Sequence, residues 1–224
     1  MISIVIPCLN EAAHIRATLT RLQPMRDRGQ QLIVVDGGSE DGSLALASPL
    51  ADKALASPRG RARQMNAGME AADGDILWFL HADTLPPADA DLQLASALST
   101  SHHRWGRFDI QLSGNAMLLR LVERSMNWRS RITGIATGDQ GIFVRTDVLR
   151  RIGGYADIPL MEDIDLSSRL KTSFGRPLCL RQRLTTSSRR WERNGIVRTT
   201  LLMWRLRLKY ALGVDPGTLD RHYS

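Results

Sequence analysis

Two carboxylates follow apolar runs in the first half of the chain, at positions where they could bind a nucleotide or a metal ion. Asp36 ends one apolar run and precedes two glycines, while Asp83 follows another run, two residues after His81. Carboxylate oxygens accept hydrogen bonds from a base or ribose, and they suit Mg²⁺ or Mn²⁺ held against a diphosphate. Alone, Asp36 is equally typical of a turn, and Asp83 is more typical of a cap than of a ligand, but their occurrence together favours ligand binding.

Arginines near position 60 could hold phosphate. Arg59, Arg61 and Arg63 surround the start of a helical segment, and both the guanidinium group and a helix N-terminus attract anions. A solvated basic turn explains Arg59 and Arg63 equally well. It explains less of the pattern in which Arg61 is followed by Gln64 and Asn66.

Two polar clusters in the second half could act on an acceptor. Glu162, Asp163 and Asp165 open one helical segment, where a carboxylate could serve as a general base towards a hydroxyl or simply favour the helix dipole. Arg189 and Trp191 belong to an Arg-Arg-Trp run that could contact a diphosphate, sugar or base. A basic surface turn remains an equal alternative for that run.

The elements that must position these groups alternate between strand and helix. Short apolar runs predict strands, and segments with apolar residues three and four apart predict helices. This order predicts βαβ units in a mainly parallel sheet, with ligands bound outside the carboxyl ends of the strands. The predicted strands are 2–7, 32–35, 53–56, 76–80, 105–112, 142–145 and 178–184, and the predicted helices are 60–72, 116–132, 162–174 and 195–212, with a helix also starting at 10–11.

The charge is unevenly distributed along the 224 residues. Residues 1–112 hold 10 Lys/Arg and 13 Asp/Glu, whereas 113–224 hold 20 and 10. The second half could therefore meet an anionic partner, or the protein could simply have a basic surface. The basic amphipathic segment 198–212 could lie on an anionic membrane, or it could pack on the core with a solvated basic edge. Cys8 and Cys179 lie far apart and predict reduced thiols, which is typical of a cytoplasmic protein.

These clusters, in this order, resemble the inverting glycosyltransferases of family two, which have the GT-A fold. The resemblance runs from residue 2 to about residue 191. The Gly60–Gly68 segment and the His-Ala-Asp run ending at Asp83 look most like a small bacterial subgroup called selenodomain-associated glycosyltransferases. The segments that carry the resemblance are 4–11, 34–42, 60–68, 79–84, 138–141 and 161–166.

The resemblance implies a role for each matching position. It implies a GT-A fold in which a Rossmann-like sheet is flanked by helices and followed by a less regular acceptor region and a terminal basic helix. Asp163 would be the general base, with Glu162 beside it, and Asp83 would bind Mg²⁺ or Mn²⁺, with His81 as a second ligand. The nucleotide-sugar site would comprise Pro7, Asn10, Glu11, Asp36, Ser39, Arg61, Asn66 and Asp83.

Two departures from the family pattern limit these expectations. His81 stands where the Asp-x-Asp motif has its first carboxylate, so metal dependence is less firmly implied than nucleotide binding. The Gln-x-x-Arg-Trp motif of processive members is only partly present in 187–191, where Ser187 stands in place of the Gln, which argues against polymer synthesis.

The sequence therefore predicts a single GT-A domain, residues 1–224, with a nucleotide-sugar half (1–112) and an acceptor half (113–224). The expected reaction moves a sugar from a UDP-sugar to an acceptor hydroxyl with inversion. The acceptor is unknown, and a lipid-linked one at the inner face of the membrane would suit the basic helix. A nucleotidyltransferase and a basic nucleic-acid-binding module are the alternatives, although no motif for nucleic acid is recognised.

Overall fold

A computed structural model describes residues 1–220 as helices packed on both faces of one sheet. The strands are β1 (Ile2–Cys8), β2 (Gln31–Asp36), β3 (Lys53–Ala56), β4 (Ile76–Phe79), β5 (Thr84–Leu85), β6 (Trp105–Leu112), β7 (Phe143–Arg145) and β8 (Leu178–Thr186). The helices are α1 (Ala12–Asp27), α2 (Ser43–Ala47), α3 (Arg61–Glu70), α4 (Ala90–Ser99), α5 (Met117–Thr133), α6 (Thr146–Arg151), α7 (Glu162–Phe174), α8 (Arg189–Asn194), α9 (Ile196–Ala211) and α10 (Pro216–Asp220).

The sheet has the order β3-β2-β1-β4-β7-β6-β8-β5. Its first four strands are parallel, as the alternation of strands and helices predicts. Beyond β4 the sheet is mixed: β7 runs antiparallel to both of its neighbours, β6 and β8 are parallel, and β5 is antiparallel to β8. The α/β fold class is confirmed, and parallel pairing dominates only in the first half.

Burial on both faces explains why the first strands are nearly continuous apolar runs. Ile4 and Ile6 of β1 belong to a core that includes Leu19 of α1, whereas Val5 points into a second core with Met65 of α3. The two helices thus fix the parallel strands from opposite sides. The carboxyl ends of β1, β2 and β4 are held at one edge of the sheet as a result.

The contact between α3 and the sheet depends on one glycine and one glutamine. A Cβ at Gly68 would lie 2.2 Å from a methyl carbon of Val5, so only glycine lets the helix approach β1 this closely. The buried amide of Gln64 donates to the carbonyl oxygens of Cys8 and Val35, at 2.7 and 2.9 Å. These contacts fix the N-terminus of α3 beside the ends of β1 and β2.

Several expectations about elements hold to within a few residues, and others need correction. The bounds of β3, β6 and α7 match the predicted ranges, but the elements α2, α4, α6, α8, α10 and β5 are additions. Both cysteines are free; Cys8 is buried and Cys179 is partly exposed.

The helices of residues 1–220 include none that is both long enough and apolar enough to cross a membrane.

Candidate functional site

A cleft of about 340 Å³ opens at the carboxyl edge of the parallel strands. It lies where β1 and β4 end and where α3 and α7 begin, so strand ends and helix N-termini meet at one place. Charged groups from both halves of the chain face it. The lining residues are Pro7, Cys8, Leu9, Glu11, Arg59, Gly60, Arg61, Gln64, His81, Ala82, Asp83, Pro159, Leu160 and Glu162.

A larger groove of about 930 Å³ lies between α1 and strands β5, β6 and β8. It is shallow, and none of the site residues expected from the sequence lines it. The smaller cleft is therefore the better candidate site, because it gathers the carboxylates and arginines that could act on a ligand.

Arg189 joins two carboxylates beside this cleft. Its Nη2 atom donates to Oε2 of Glu11 at 3.1 Å and to Oδ2 of Asp83 at 3.0 Å, and Nη1 lies 3.0 Å from Nδ1 of His14. Glu11 follows β1 and Asp83 follows β4, so adjacent parallel strands bring the carboxylates together. The oxygens of both carboxylates thus converge on the positive charge of the Arg189 guanidinium group.

Asp36 organises the loop that follows β2. Its carboxylate accepts backbone N–H bonds from Gly38 and Ser39 at 2.9 and 2.8 Å, and it also accepts the hydroxyl of Ser39. The Ser39 oxygen in turn accepts the N–H of Asn10 at 2.8 Å, and Asn10 has a left-handed backbone with φ of 54°. Asn10, Asp36 and Ser39 are thus brought together in two hydrogen-bonded loops outside the cleft lining, whereas Glu11 lines the cleft.

Glu162 faces the cleft from the first turn of α7. One of its oxygens lies 3.7 Å from Nη1 of Arg61, and its side chain is only 6% exposed. Burial raises the pKa of the Glu162 carboxyl to about 7, the nearby charge of Asp163 adds to the increase, and Arg61 opposes it. Glu162 can therefore exchange a proton near neutral pH.

Asp163 lies beside Glu162 but is not among the residues that line the cleft. Its Oδ2 atom accepts the backbone N–H of Gly138 at 2.7 Å, and Oδ1 accepts the N–H of Ile164 at 2.7 Å. These bonds tie α7 to the short turn at Gly138–Gln140. The structure thus separates the neighbouring carboxylates: one faces the cleft and the other supports its wall.

His81 is less suited than Asp83 to bind Mg²⁺ or Mn²⁺. Its Nε2 atom is buried and has no hydrogen-bond partner, and a Cβ at Gly138 would lie 2.6 Å from it. Burial lowers the pKa of His81 to about 4, the charge of Arg61 lowers it further, and Asp83 opposes them. The imidazole is neutral, yet Mg²⁺ and Mn²⁺ prefer oxygen ligands.

Asp83 is suited to a divalent cation that takes its remaining ligands from the phosphate oxygens of a substrate. Within residues 1–220, no group of three or more His, Cys, Asp or Glu side chains converges into a ready-made site. Mg²⁺ is commonly held by one or two carboxylates together with phosphate oxygens. Asp83, with Glu11 nearby, supplies that carboxylate set.

Asn66 does not reach the cleft. Its amide donates to the carbonyl oxygen of Tyr155 at 2.8 Å and accepts the N–H of Tyr155 at 2.8 Å, so it fixes α3 to the chain before α7. Its assignment to the nucleotide site stays a prediction from the resemblance. Gln64, which the sequence did not single out as a site residue, holds α3 against the ends of β1 and β2. Its position three residues after Arg61, one turn along the same helix, was the signal that could have found it.

Comparisons with known proteins identify the family and the fold. Residues 3–141 match the family model described as Glycosyl transferase family 2.

The chain belongs to glycosyl transferase family 2.

The predicted family is thereby confirmed. Membership favours glycosyl transfer, over a nucleotidyltransferase or a nucleic-acid-binding module, as the activity to propose. A Mycobacterium tuberculosis relative, "Uncharacterized glycosyltransferase Rv1514c", is 35% identical over 69% of this chain and 62% of its own length. The chain spans 54% to 62% of the length of the first curated relatives it matches. The narrower resemblance to the selenodomain-associated subgroup stays a prediction.

Solved structures share the GT-A architecture. S. aureus TarS in complex with UDP-GlcNAc superposes with a TM-score of 0.69 at 16% identity, covering 83% of this chain and 58% of TarS. Glucosyl-3-phosphoglycerate synthase from Mycobacterium tuberculosis, in complex with Mn²⁺, UDP and glucosyl-3-phosphoglycerate, gives 0.64 at 19% identity, covering 83% and 71%. These similarities confirm the GT-A fold.

Proposed function

We propose that this protein transfers a sugar from a UDP-sugar to an acceptor hydroxyl, with inversion at the anomeric carbon. The observation that carries the proposal is the cleft at the carboxyl edge of the sheet, where Arg61, Asp83 and Glu162 face one space. Two structures of the same fold contain UDP or UDP-GlcNAc, which supports uridine nucleotides as the first donors to test.

The donor would lie along the edge formed by β1, β2 and α3. The loop organised by Asp36 and Ser39 would contact the base and ribose, with Pro7 and Asn10 beside it. Arg61, at the N-terminus of α3, would bind the diphosphate, because guanidinium groups and free helix N–H groups both favour phosphate oxygens. This arrangement follows the rule that ligands of parallel sheets bind beyond the strand ends.

Asp83 would hold Mg²⁺ or Mn²⁺ together with diphosphate oxygens, and Glu11 is close enough to contribute. The bound ion would supply positive charge to offset the charge that develops on the leaving nucleoside diphosphate. Arg61 and Arg189 would act on the same charge from the protein side.

The acceptor would be activated by the carboxylates at the start of α7. We propose Asp163 as the base, with Glu162 beside it orienting Arg61 or sharing the proton. Abstraction of the hydroxyl proton and attack on the anomeric carbon then form the new glycosidic bond as the bond to the diphosphate breaks. One such displacement inverts the anomeric configuration.

We also propose that residues 1–224 form one domain. Its donor half and acceptor half have no sharp boundary. Glu162 and Leu160 of the second half line the cleft with residues of the first, and β7 lies between β4 and β6. The acceptor, a lipid-linked one included, and a cytoplasmic location remain proposals that rest on the basic second half.

A nucleotide-binding experiment tests the donor assignment. We expect UDP to raise the unfolding temperature more than GDP, ADP or CDP, and Mn²⁺ or Mg²⁺ to increase that shift. Release of UDP from a panel of UDP-sugars with candidate acceptors then tests transfer. Equal stabilisation by all four diphosphates would remove uridine specificity, and no stabilisation by any of them would overturn the donor site.

A further inference from the structure

Helix α5 has two apolar faces, and only one of them is covered. Leu119 and Val122 belong to the main core of the protein. The other face carries large side chains that are 50% to 86% exposed. Their spacings of one, three, seven and four residues place them on one face of the helix. This α5 stripe consists of Met117, Leu118, Leu121, Trp128 and Ile132.

Helix α9 repeats the pattern. Thr199 and Leu206 are buried, whereas a row on the exposed side has fractional exposures of 61% to 76%. The α9 stripe, which ends just past the helix, consists of Val197, Leu201, Trp204, Leu208 and Leu212. The two helices contact each other, so a second exposed apolar row lies on the neighbour of the first.

Basic residues accompany both stripes. Each helix carries four Lys or Arg residues, α9 has no acidic residue, and the single carboxylate of α5 is Glu123. Glu123 is buried and pairs with Arg120, and Arg131 pairs with Asp109. Of the four arginines of α5, Arg124 is therefore the exposed one that borders the stripe. Arg124 and Arg205 are both exposed. Arg124 lies one helical turn before Trp128, and Arg205 directly follows Trp204.

We propose that α5 and α9 together dock the protein on an anionic lipid surface, with the two stripes entering the headgroup region. A helix with an apolar row, a tryptophan and a basic border is suited to lie in that interface, where burial of the row and attraction to anionic headgroups act together. This inference goes beyond the proposed transfer reaction. It stands on exposure and charge, and it needs no assumption about donor or acceptor.

The charge selects lipid over the other occupants of an apolar surface. A second copy of the chain would bring the same basic borders against each other, where like charges repel. A nucleic acid would meet the arginines but would leave aliphatic side chains such as Leu121 and Leu201 without a partner. An anionic bilayer satisfies both kinds of side chain at once.

Flotation with vesicles tests the proposal on the full chain. The probes are vesicles of phosphatidylcholine alone and vesicles in which roughly a third of the lipid is phosphatidylglycerol. We expect binding to the anionic vesicles that is at least about tenfold stronger and that weakens in high salt. The double variants Leu121→Gln/Trp128→Gln and Leu201→Gln/Trp204→Gln should each reduce the partition coefficient by about tenfold or more.

Two further variants separate the contributions. Leu92→Gln removes a 52% exposed leucine of α4, outside both stripes, and should leave binding unchanged. Arg124→Gln/Arg205→Gln should weaken binding to anionic vesicles by about fivefold per arginine and leave weak binding to neutral vesicles unaltered. In every variant the unfolding temperature, and its increase on adding UDP, should equal the wild-type values. That result would show that the fold and the donor site are intact.

Three results would overturn the proposal. One is equal binding of wild type and stripe variants to anionic vesicles. The second is a concentration-dependent dimer, measured by light scattering, that the stripe substitutions abolish without any lipid binding. The third is salt-sensitive binding of RNA or DNA that is lost in the arginine variant while vesicles are ignored. Failure of UDP binding alone would overturn only the donor assignment.

Discussion

One guanidinium nitrogen of Arg189 lies 3.0 Å from a carboxylate oxygen of Asp83, and the same nitrogen lies 3.1 Å from Glu11. Asp83 and Arg189 are 106 residues apart in sequence. They meet because Thr84 of β5, the residue after Asp83, pairs with Thr186 at the end of β8. The arginine thus neutralises the carboxylates to which we assign the divalent cation. Arginine and metal ion would compete for the same oxygens, or share them when a diphosphate is bound.

Replacing Arg189 by glutamine should strengthen binding of Mn²⁺ in the absence of nucleotide. The side chain is 48% exposed, so solvent screens the pair and its loss is worth about 1 kcal/mol, or about fivefold in affinity. Calorimetric titration with Mn²⁺ measures the change, with Arg193→Gln on the same helix as the control. An unchanged or weaker Mn²⁺ affinity would show that Asp83 and Glu11 do not form the cation site.

Glu162 should make the protein less stable as pH rises through neutrality. Its folded pKa of about 7 exceeds the ordinary value of 4.5 for a glutamate, so the folded protein binds the proton more tightly than the unfolded chain. Stability is therefore lost between about pH 4.5 and pH 7, up to roughly 3 kcal/mol. Urea unfolding at pH 5 and pH 8 should show this loss in the wild type and a smaller one in Glu162→Gln.

The exposed carboxylate Glu70 at the end of α3 provides the matched control for that experiment. Glu70→Gln should retain the pH dependence of the wild type. If the free energy of unfolding depends on pH equally in Glu162→Gln and Glu70→Gln, folding does not raise the pKa of Glu162.

Asp163→Asn should abolish transfer while preserving donor binding. The asparagine carbonyl can still accept the N–H of Gly138 that Asp163 accepts at 2.7 Å, so the wall of the cleft is retained while the base is lost. We expect the rate to fall by about 10²- to 10⁴-fold with an unchanged affinity for UDP. Asp165→Asn, two positions after Asp163, is the control, and Glu162→Gln shows which carboxylate the reaction needs.

Near-normal turnover of Asp163→Asn together with an inactive Glu162→Gln would transfer the role of base to Glu162. That outcome would agree with the position of Glu162 in the cleft lining. It would leave Asp163 as a residue that positions α7 against the Gly138–Gln140 turn.

Gly68→Ala should destabilise the fold by about 1 to 3 kcal/mol, because its Cβ would lie 2.2 Å from Val5 in the contact between α3 and β1. Chemical denaturation measures the loss. The double variant Val5→Ala/Gly68→Ala should lose less than the sum of the single changes, since the smaller side chain relieves the clash. Additive losses would show that the helix moves away from β1 freely.

The sequence by itself determined the parallel part of the sheet. Apolar runs such as Ile2–Pro7 predict strands buried on both faces, and the polar residues after them must gather at one edge because parallel strands end together. Asp36 and Asp83 were therefore found from their positions relative to strands. The family resemblance added the roles, and the family match confirms the family though not those roles.

Only the tertiary structure decided what covers each face and which groups meet. The spacing of Leu118, Leu121 and Trp128 indicates an apolar row on α5, but periodicity cannot tell a row that packs on a core from one that faces outward. Likewise Glu162 and Asp163 are adjacent in sequence, yet helical geometry turns one towards the cleft and the other towards Gly138. Exposure and pairing depend on contacts between distant segments, which local sequence does not encode.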